Sequence, residues 1–421
     1  MRISAVGVLS AYGAGTEALV QGMRNGDCPV RTASGMGYPT DPAPLVSRLP
    51  PRNDPPGEQA SALALIQTLA QMVRAWGGDP ALLSQPDCGL VVGSGGFLYA
   101  SNAELFWRDS GNLTVSSIAP HLGLGLDRQA HLTPFSQLTP FSHSSPFLVR
   151  GPSWGASLIG AHYRMRGPVQ TLSTGCSASA NALLLASEML SRQKLRRVIV
   201  VGAEGLSAVT LAGFDSLMLL DPHGCRPFDR DRSGVQLGEA VAVLLLEADQ
   251  APSAGARSDG SAGSARLIAG ANQCDTHHLT SASPDGSVMA AVMREALTKA
   301  RLATQDMVAI KAHGTGSVDS DAAEANAIKA VFGAAPPPIL AFKRYLGHTL
   351  GACGALETVA LTSCFNAGFM PPAAGYCHRD PQLGIAPLAS TIAAQPGHYL
   401  LNFFGFGGNY TSLVLRLGPT N

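Results

Sequence analysis

Short apolar runs, several of them ending in glycine, recur along this chain, and their order constrains the fold more than any other feature. They are Ile3–Leu9, Gly89–Gly93, Val169–Leu172, Arg197–Gly202 and Ala240–Leu246, then Arg266–Gly270, Met307–Ala312, Pro338–Phe342, Tyr399–Phe404 and Ser412–Leu417. Helical patterns lie between many of them, over Gln59–Trp76, Ser177–Leu190, Val288–Lys299, Asp321–Phe332 and Thr349–Phe365. Apolar strands alternating with helices predict α/β layers around a mostly buried sheet. The order is also duplicated. Each half reads as two strands, a strand–turn–helix, and two further strands. Two tandem α/β units related by a pseudo-twofold would bring equivalent strand ends together at the centre, and chemistry would gather there. The halves are expected at 1–247 and 266–421. Residues 248–265, rich in Gly, Ser, Ala and Asp, read as the linker. Gly35–Gln59 is Pro-rich and reads as a surface excursion. Ser101–Arg150 has poor periodicity and reads as an insertion capping the first half.

The chain has 421 residues, enough for two core-forming units, and its 46% hydrophobic and 14% charged content suits a large buried core. Net charge is zero, so no basic field argues for nucleic acid or an acidic membrane surface. The apolar run at the N-terminus is too short for a signal peptide and reads as a first strand. No run is long enough to span a bilayer. Eight cysteines occur without CxxC pairs or zinc spacing, which points away from a metal and towards a reducing cytoplasm.

Four motifs carry chemistry. The segment Thr171–Asn181 sets Cys176 where an apolar strand meets an apolar helix. Free N–H groups and the helix dipole there favour thiolate, the nucleophilic form, so a reactive Cys176 is expected. Ala312–Ser317 places His313 between a strand and two glycines, with Thr315 and Ser317 presenting hydroxyls. Phe342–Gly354 places His348 at a strand-to-helix junction equivalent to that of Cys176. Lys343 is expected in the strand before it, with Glu357 as its candidate buried ion-pair partner. Asn402–Asn409 makes a Gly-Phe-Gly-Gly turn after a strand, which exposes backbone N–H groups beside one ring, that of Phe406. Such a turn suits an oxyanion donor with an aromatic gate. A bland reading stands beside each motif: buried cysteine, chance surface histidine, helix-packing glycines, core phenylalanines. Taken in order, a thiolate, two imidazoles and a backbone anion hole make a constellation for thioester chemistry.

With these motifs the chain resembles the β-ketoacyl-[acyl-carrier-protein] synthases, elongating condensing enzymes of the thiolase superfamily. Cys225–Glu239, His277–Gly286 and Asp321–Glu324 also have counterparts there. The resemblance implies a thiolase fold, two duplicated α/β halves in a five-layer αβαβα arrangement. It implies that Cys176 takes an acyl chain as a thioester. His313 and His348 would stabilise the enolate left when carrier-bound malonyl loses CO2. Backbone N–H groups of Cys176 and Phe406 would hold the tetrahedral oxyanion. Lys343, supported by Glu357, would set the local electrostatics, Thr315 and Ser317 would hold the phosphopantetheine arm, and Phe406 would gate the malonyl side. It implies no cofactor, since substrates arrive on the arm of acyl carrier protein. It also implies a homodimer, or a heterodimer with a related subunit.

Several positions depart from the family pattern: Thr-Gly-Cys-Ser-Ala-Ser at the nucleophile, Arg344-Tyr345-Leu346 after the lysine, and the bulky Phe403 and Tyr410. They bear on the substrate, leaving fatty acid and type II polyketide or polyene synthesis both open. A chain-length-factor-like partner usually lacks the cysteine that stands here at 176. A starter-type synthase needs asparagine at 348, and a biosynthetic thiolase needs a cysteine where Phe406 stands. An acyltransferase or decarboxylase of the same fold remains an alternative.

Overall fold

The computed structural model describes residues 1–33, 43–50, 58–95, 152–192, 195–249 and 265–419. The expected capping insertion, most of the Pro-rich excursion and nearly all of the linker lie outside the described residues. Among the described residues the backbone of the main sheet is ten strands, in chain order β1 Arg2–Ser10, β2 Cys88–Gly93, β3 Val169–Leu172, β4 Arg197–Glu204, β5 Ala240–Glu247, β6 Ala265–Cys274, β7 Met307–Lys311, β8 Ile339–Leu340, β9 Gly397–Phe404 and β10 Asn409–Leu417. Gly13–Ala14 adds a short pairing to β1.

The spatial order is β8-β7-β9-β10-β6-β1-β5-β4-β2-β3. Read outward from the β6/β1 seam, both wings run first strand, fifth, fourth, second, third of their own repeat. The duplication seen in the sequence is therefore a duplication of topology. Each wing has three parallel strands at its edge and antiparallel pairs towards the seam. At the seam, β1 and β6 share a single residue pair, Arg2 with Arg266.

Burial on both faces explains why β4 and β5 read as continuous apolar runs, for every residue of each is buried. Successive side chains of a strand point to opposite faces. Along β5, Ala240, Ala242, Leu244 and Leu246 enter a central core, while Val241, Val243 and Leu245 enter an outer one. The central core holds two helices, Ala178–Arg192 after Cys176 and Cys353–Asn366 after His348, packed against each other and against strands of both wings. Glu58–Trp76 covers the outer face of the first wing at β1 and β5, and Ser287–Ala300 with Val318–Phe332 covers the second. The order helix, sheet, helix, sheet, helix is the expected five-layer arrangement. Gly354 lets the two central helices meet: a Cβ there would lie 2.1 Å from the backbone nitrogen of Ala180.

Two local expectations need correction. The expected strand Pro338–Phe342 contracts to Ile339–Leu340, and Lys343 instead opens a single helical turn, Lys343–Leu346. Gly347 ends that turn at φ +74, where its Cα faces Gly238 so closely that an added Cβ would come within 2.8 Å of it. The helix expected over Thr349–Phe365 begins as a 3-10 turn, Leu350–Ala352, and becomes α-helical at Cys353. No helix among the described residues is long and apolar enough to cross a membrane.

Candidate active site

The four motifs all follow the carboxyl ends of parallel-wing strands, the place where open α/β sheets expose a crevice. Cys176 follows β3, His313 follows β7, His348 follows β8, and Phe406 follows β9. Cys176, His313, Thr315, Ser317, His348 and Phe406 line one pocket of about 280 Å³. Lys343 and Glu357 sit behind it, fully enclosed.

Cys176 lies in the 3-10 turn Gly175–Ser177, two residues before the helix proper begins at Ala178. The backbone N–H groups of Phe406 and of Cys176 itself lie beside its sulfur and favour its charged form. These are the two N–H groups expected to form an anion hole. The ionisation expected of Cys176 is corrected, however. Burial pushes its thiol up to about 11, outweighing the Phe406 N–H and the Lys343 charge, which pull the other way. A helix start lowers a thiol's pKa only where the thiolate keeps its solvation, and Cys176 is 5% exposed. At neutral pH the side chain is therefore held as the thiol.

His348 Nε2 stands 3.1 Å from the Cys176 sulfur. The His313 and His348 rings meet edge to face, 5.4 Å between centroids. Burial first, then the Lys343 charge, drive both imidazoles well below their ordinary pKa. Both are therefore neutral at physiological pH, suited to donating one N–H each rather than carrying charge.

The loops that hold the histidines are pinned by motifs whose purpose the sequence left unassigned. Two buried carboxylates of the Val318–Phe332 helix hold the His313 loop. Glu324 accepts the His313 and Gly314 N–H groups at 2.8 Å each, and Asp321 accepts those of Phe228 at 2.7 Å and Gly316 at 3.2 Å. Their burial raises Glu324 to about 7 and Asp321 to about 6. The Cys225–Glu239 segment holds His348, whose N–H donates to the Gln236 carbonyl at 2.6 Å while its carbonyl accepts the Gly238 N–H at 3.0 Å.

Lys343 reaches Glu357 at 2.6 Å, as the sequence suggested. What the sequence did not single out is Lys311, the last residue of β7. Its Nζ donates to the other oxygen of Glu357 and, at 2.8 Å, to the Asn402 carbonyl, and it lies over the Phe403 ring. One carboxylate thus bridges two buried ammonium groups. Burial lowers Lys311 to about 8 despite Glu357. Burial also opposes the Lys343 charge, but its ion pair with Glu357 holds it protonated. Glu357 is held ionised by the two lysines against its own burial. The group leaves a net positive charge beneath the pocket.

Two further features were not singled out. Phe214 stacks on Phe406 with ring centroids 5.6 Å apart and planes 16° apart, and the exposed side chains of Met218, Leu279 and Val318 rim the mouth. Asn409, just after the Phe406 turn, accepts from Ser177 Oγ at 2.8 Å, Asn181 Nδ2 at 2.7 Å and Asn272 Nδ2 at 2.8 Å. These bonds tie the nucleophile turn of one half to the anion-hole turn of the other.

Comparison with known proteins agrees with this geometry. Residues 43–251 match the family described as "Beta-ketoacyl synthase, N-terminal domain", and residues 265–376 match "Beta-ketoacyl synthase, C-terminal domain". The tetracenomycin polyketide synthase ketoacyl synthase alpha subunit of Streptomyces glaucescens is 30% identical, the match covering 98% of this chain and 96% of that protein. The 3-oxoacyl-[acyl-carrier-protein] synthase 2 of Mycobacterium bovis is 30% identical over 62% of this chain and 64% of its own length. Among solved structures, the ishigamide ketosynthase/chain length factor superposes with a TM-score of 0.82, at 23% identity and 99% coverage of both chains. Family models matching both halves and 30% identity over nearly the whole length show that the chain belongs to the β-ketoacyl synthase family.

Proposed function

We propose that Cys176 carries the growing acyl chain and that His313 and His348 activate the malonyl unit which extends it. The reaction class is that of the family, decarboxylative Claisen condensation in fatty acid or polyketide synthesis. The observation that carries the assignment of roles is the convergence of Cys176 and two neutral imidazoles on one pocket, with two backbone N–H groups beside the sulfur.

In the loading step, Cys176 sulfur adds to the thioester carbonyl of an acyl-carrier protein. The carrier thiol leaves and takes up the proton that Cys176 gives up. In the extension step, the carboxyl group of carrier-bound malonyl departs as CO2, and its bonding pair becomes an enolate. N–H groups of His313 and His348 stabilise the enolate oxygen. The enolate carbon attacks the acyl-Cys176 carbonyl, whose oxygen becomes the anion held by the Cys176 and Phe406 N–H groups. Collapse expels the Cys176 thiolate and leaves a 3-oxoacyl chain on the carrier. The positive charge beneath the pocket, shared by Lys311 and Lys343, favours each of these anions. Removing one anion-hole donor typically costs about 100- to 1000-fold, so the Phe406 turn matters as much as any side chain.

Thr315 and Ser317, 3.0 Å apart at the pocket wall, suit the amides of a phosphopantetheine arm. The stacked Phe214–Phe406 pair suits a gate that opens for it. Acyl carrier protein is the implied partner, and no cofactor is needed, since the arm delivers both substrates. Full-length similarity to a polyketide alpha subunit favours a type II polyketide setting, in which a related second subunit would complete a heterodimer. Eight unpaired cysteines suit a cytoplasmic enzyme.

The test is site-resolved mass spectrometry after incubation with acyl-carrier protein, together with CO2 release from malonyl-carrier protein by Cys176→Gln, which imitates the acylated site. The proposal expects acylation at Cys176, and CO2 release that is lost when His313→Ala or His348→Ala is added. Acylation elsewhere, or undiminished CO2 release without the histidines, would overturn the roles.

A further inference from the structure

His348 stands between two sulfurs. Its Nε2 is 3.1 Å from Cys176 and its Nδ1 is 3.1 Å from Cys353. The first contact belongs to the reaction described above, and the second has no part in it. We propose that Cys353 is a positioning residue whose S–H, donated to Nδ1, fixes His348 as the Nε2–H tautomer and so aims its one N–H into the pocket. The inference rests on the role given to His348 above and extends it to the group behind the ring.

The donor to Nδ1 follows from the local bonding. Cys353 is the first residue of the Cys353–Asn366 helix and is fully buried. Its backbone N–H is spent on the Leu350 carbonyl, closing the 3-10 turn, so the thiol is what reaches Nδ1. Thr349 Oγ1 donates to the Cys353 sulfur at 3.5 Å, which leaves the S–H free to point at Nδ1. Burial pushes the Cys353 thiol up to about 12, so the hydrogen is present at any working pH. His348 is neutral and carries one ring hydrogen. With Nδ1 accepting, that hydrogen must sit on Nε2. A relay results: Thr349 hydroxyl to Cys353 sulfur, Cys353 S–H to Nδ1, and Nε2–H to the Cys176 sulfur or, once Cys176 is acylated, to the malonyl oxygen.

His313 makes a contrast. Its Nδ1 is buried with no hydrogen-bond partner among the described residues. Of the two imidazoles, then, only the His348 ring has an Nδ1 partner among the described residues that can set its tautomer. The opposite arrangement, Nδ1–H to the Cys353 sulfur and Cys176 S–H to Nε2, would make His348 a proton acceptor and remove the donor that the enolate needs.

The experiment reads the tautomer directly. In the full-length protein labelled with 15N-histidine, the His348 signals are assigned by their loss in His348→Ala. The expected pattern is a protonated Nε2 and an unprotonated Nδ1. Cys353→Ala should give a mixture of tautomers, and Cys353→Ser, which restores an O–H donor, should return the wild-type pattern. In the Cys176→Gln background, Cys353→Ala should lower kcat for malonyl decarboxylation about tenfold at unchanged KM, the scale of one orienting hydrogen bond, with Cys353→Ser recovering most of it. A protonated Nδ1 in the wild type, or a serine variant no better than alanine in both readouts, overturns the proposal. The tautomer reading needs no substrate. If it comes out as expected while His348→Ala still decarboxylates normally, the role given to His348 fails and the Cys353 assignment stands.

Discussion

Glu357→Gln tests the charge arrangement beneath the pocket most severely, because one carboxylate serves two buried lysines. Lys311, Lys343 and Glu357 are each no more than 1% exposed. Removing one partner of a buried ion pair costs about 3–5 kcal/mol, since the other charge is left uncompensated. Here two ammonium groups lose their counterion at once. Lys311 limits the damage: already lowered to about 8, it can release its proton at a cost of about 1.4 kcal/mol per pKa unit. Lys343 then bears most of the loss, and about 3–5 kcal/mol in total is the expected destabilisation. An unfolding entropy of about 2.1 cal/mol/K per residue over the 421 residues turns this into a fall in Tm of about 3–6 °C. Lys311→Met and Lys343→Met should each cost less, because Glu357 keeps one lysine. Adding Lys311→Met to Glu357→Gln should recover part of the loss. The pH dependence has a definite sign. In Glu357→Gln the folded-state pKa of Lys311 falls further below 10.5 and Lys343 loses the counterion that holds its own pKa up, so the folded protein binds fewer protons than the unfolded one as pH rises. Its deficit against wild type should therefore shrink between pH 7 and pH 9. Thermal unfolding followed by circular dichroism reads all of these. A Glu357→Gln Tm within about 1 °C of wild type, or a Lys311→Met variant less stable than Glu357→Gln, would refute the reasoning.

Other consequences are more local. With the Cys176 thiol near 11, its alkylation by iodoacetamide should climb about tenfold per pH unit from pH 6 to 9, whereas a plateau near neutrality would restore a resting thiolate. Site-resolved mass spectrometry should find acyl loading abolished in Cys176→Ala and retained at the endpoint in Cys353→Ala and Cys364→Ala; equal loss in all three would mean that Cys176 is not selective. Asn409→Ala removes the acceptor of three side-chain donors that join the nucleophile and anion-hole turns. It should lower condensation by about tenfold or more while Cys176→Gln/Asn409→Ala still releases CO2, and equal loss of both steps would point to a general loss of structure.

Much of this was legible in the sequence because periodicity and punctuation survive translation into a fold. The ten apolar runs became the ten strands, and their duplicated order became mirrored wings. Cys176, His313, His348 and Phe406 were legible for a related reason: each sits just past a strand, where glycines mark a close backbone approach. Lys311 was missed because a lysine closing an apolar strand reads as its solvent-facing end, and only tertiary packing brings Glu357 and the Phe403 ring over it. A signal existed, in that Lys311 stands two residues before His313. The Cys176 ionisation was misjudged because a local rule about helix starts says nothing of burial, which depends on the opposite half. Lys343 was placed in a strand because the residues before it are apolar, while the turn at Gly347 that converts it to a helical residue depends on contact with Gly238. Phe214, Asn409 and Cys353 owe their places to pairings across long sequence separations or to the exact seating of a ring, and no spacing rule encodes these.

The central claim is that this pocket makes a carbon–carbon bond at acyl-Cys176. Incubation of the protein, with its partner subunit if it has one, with acyl-carrier protein and 13C-malonyl-carrier protein, followed by mass spectrometry of the carrier-bound chains, tests it most directly. The account predicts a 3-oxoacyl chain two carbons longer than the starter, both new carbons labelled, with CO2 released in equal amount and nothing formed by Cys176→Ala. A starter that acylates Cys176 and is never extended, while malonyl-carrier protein is decarboxylated or left intact, would contradict it.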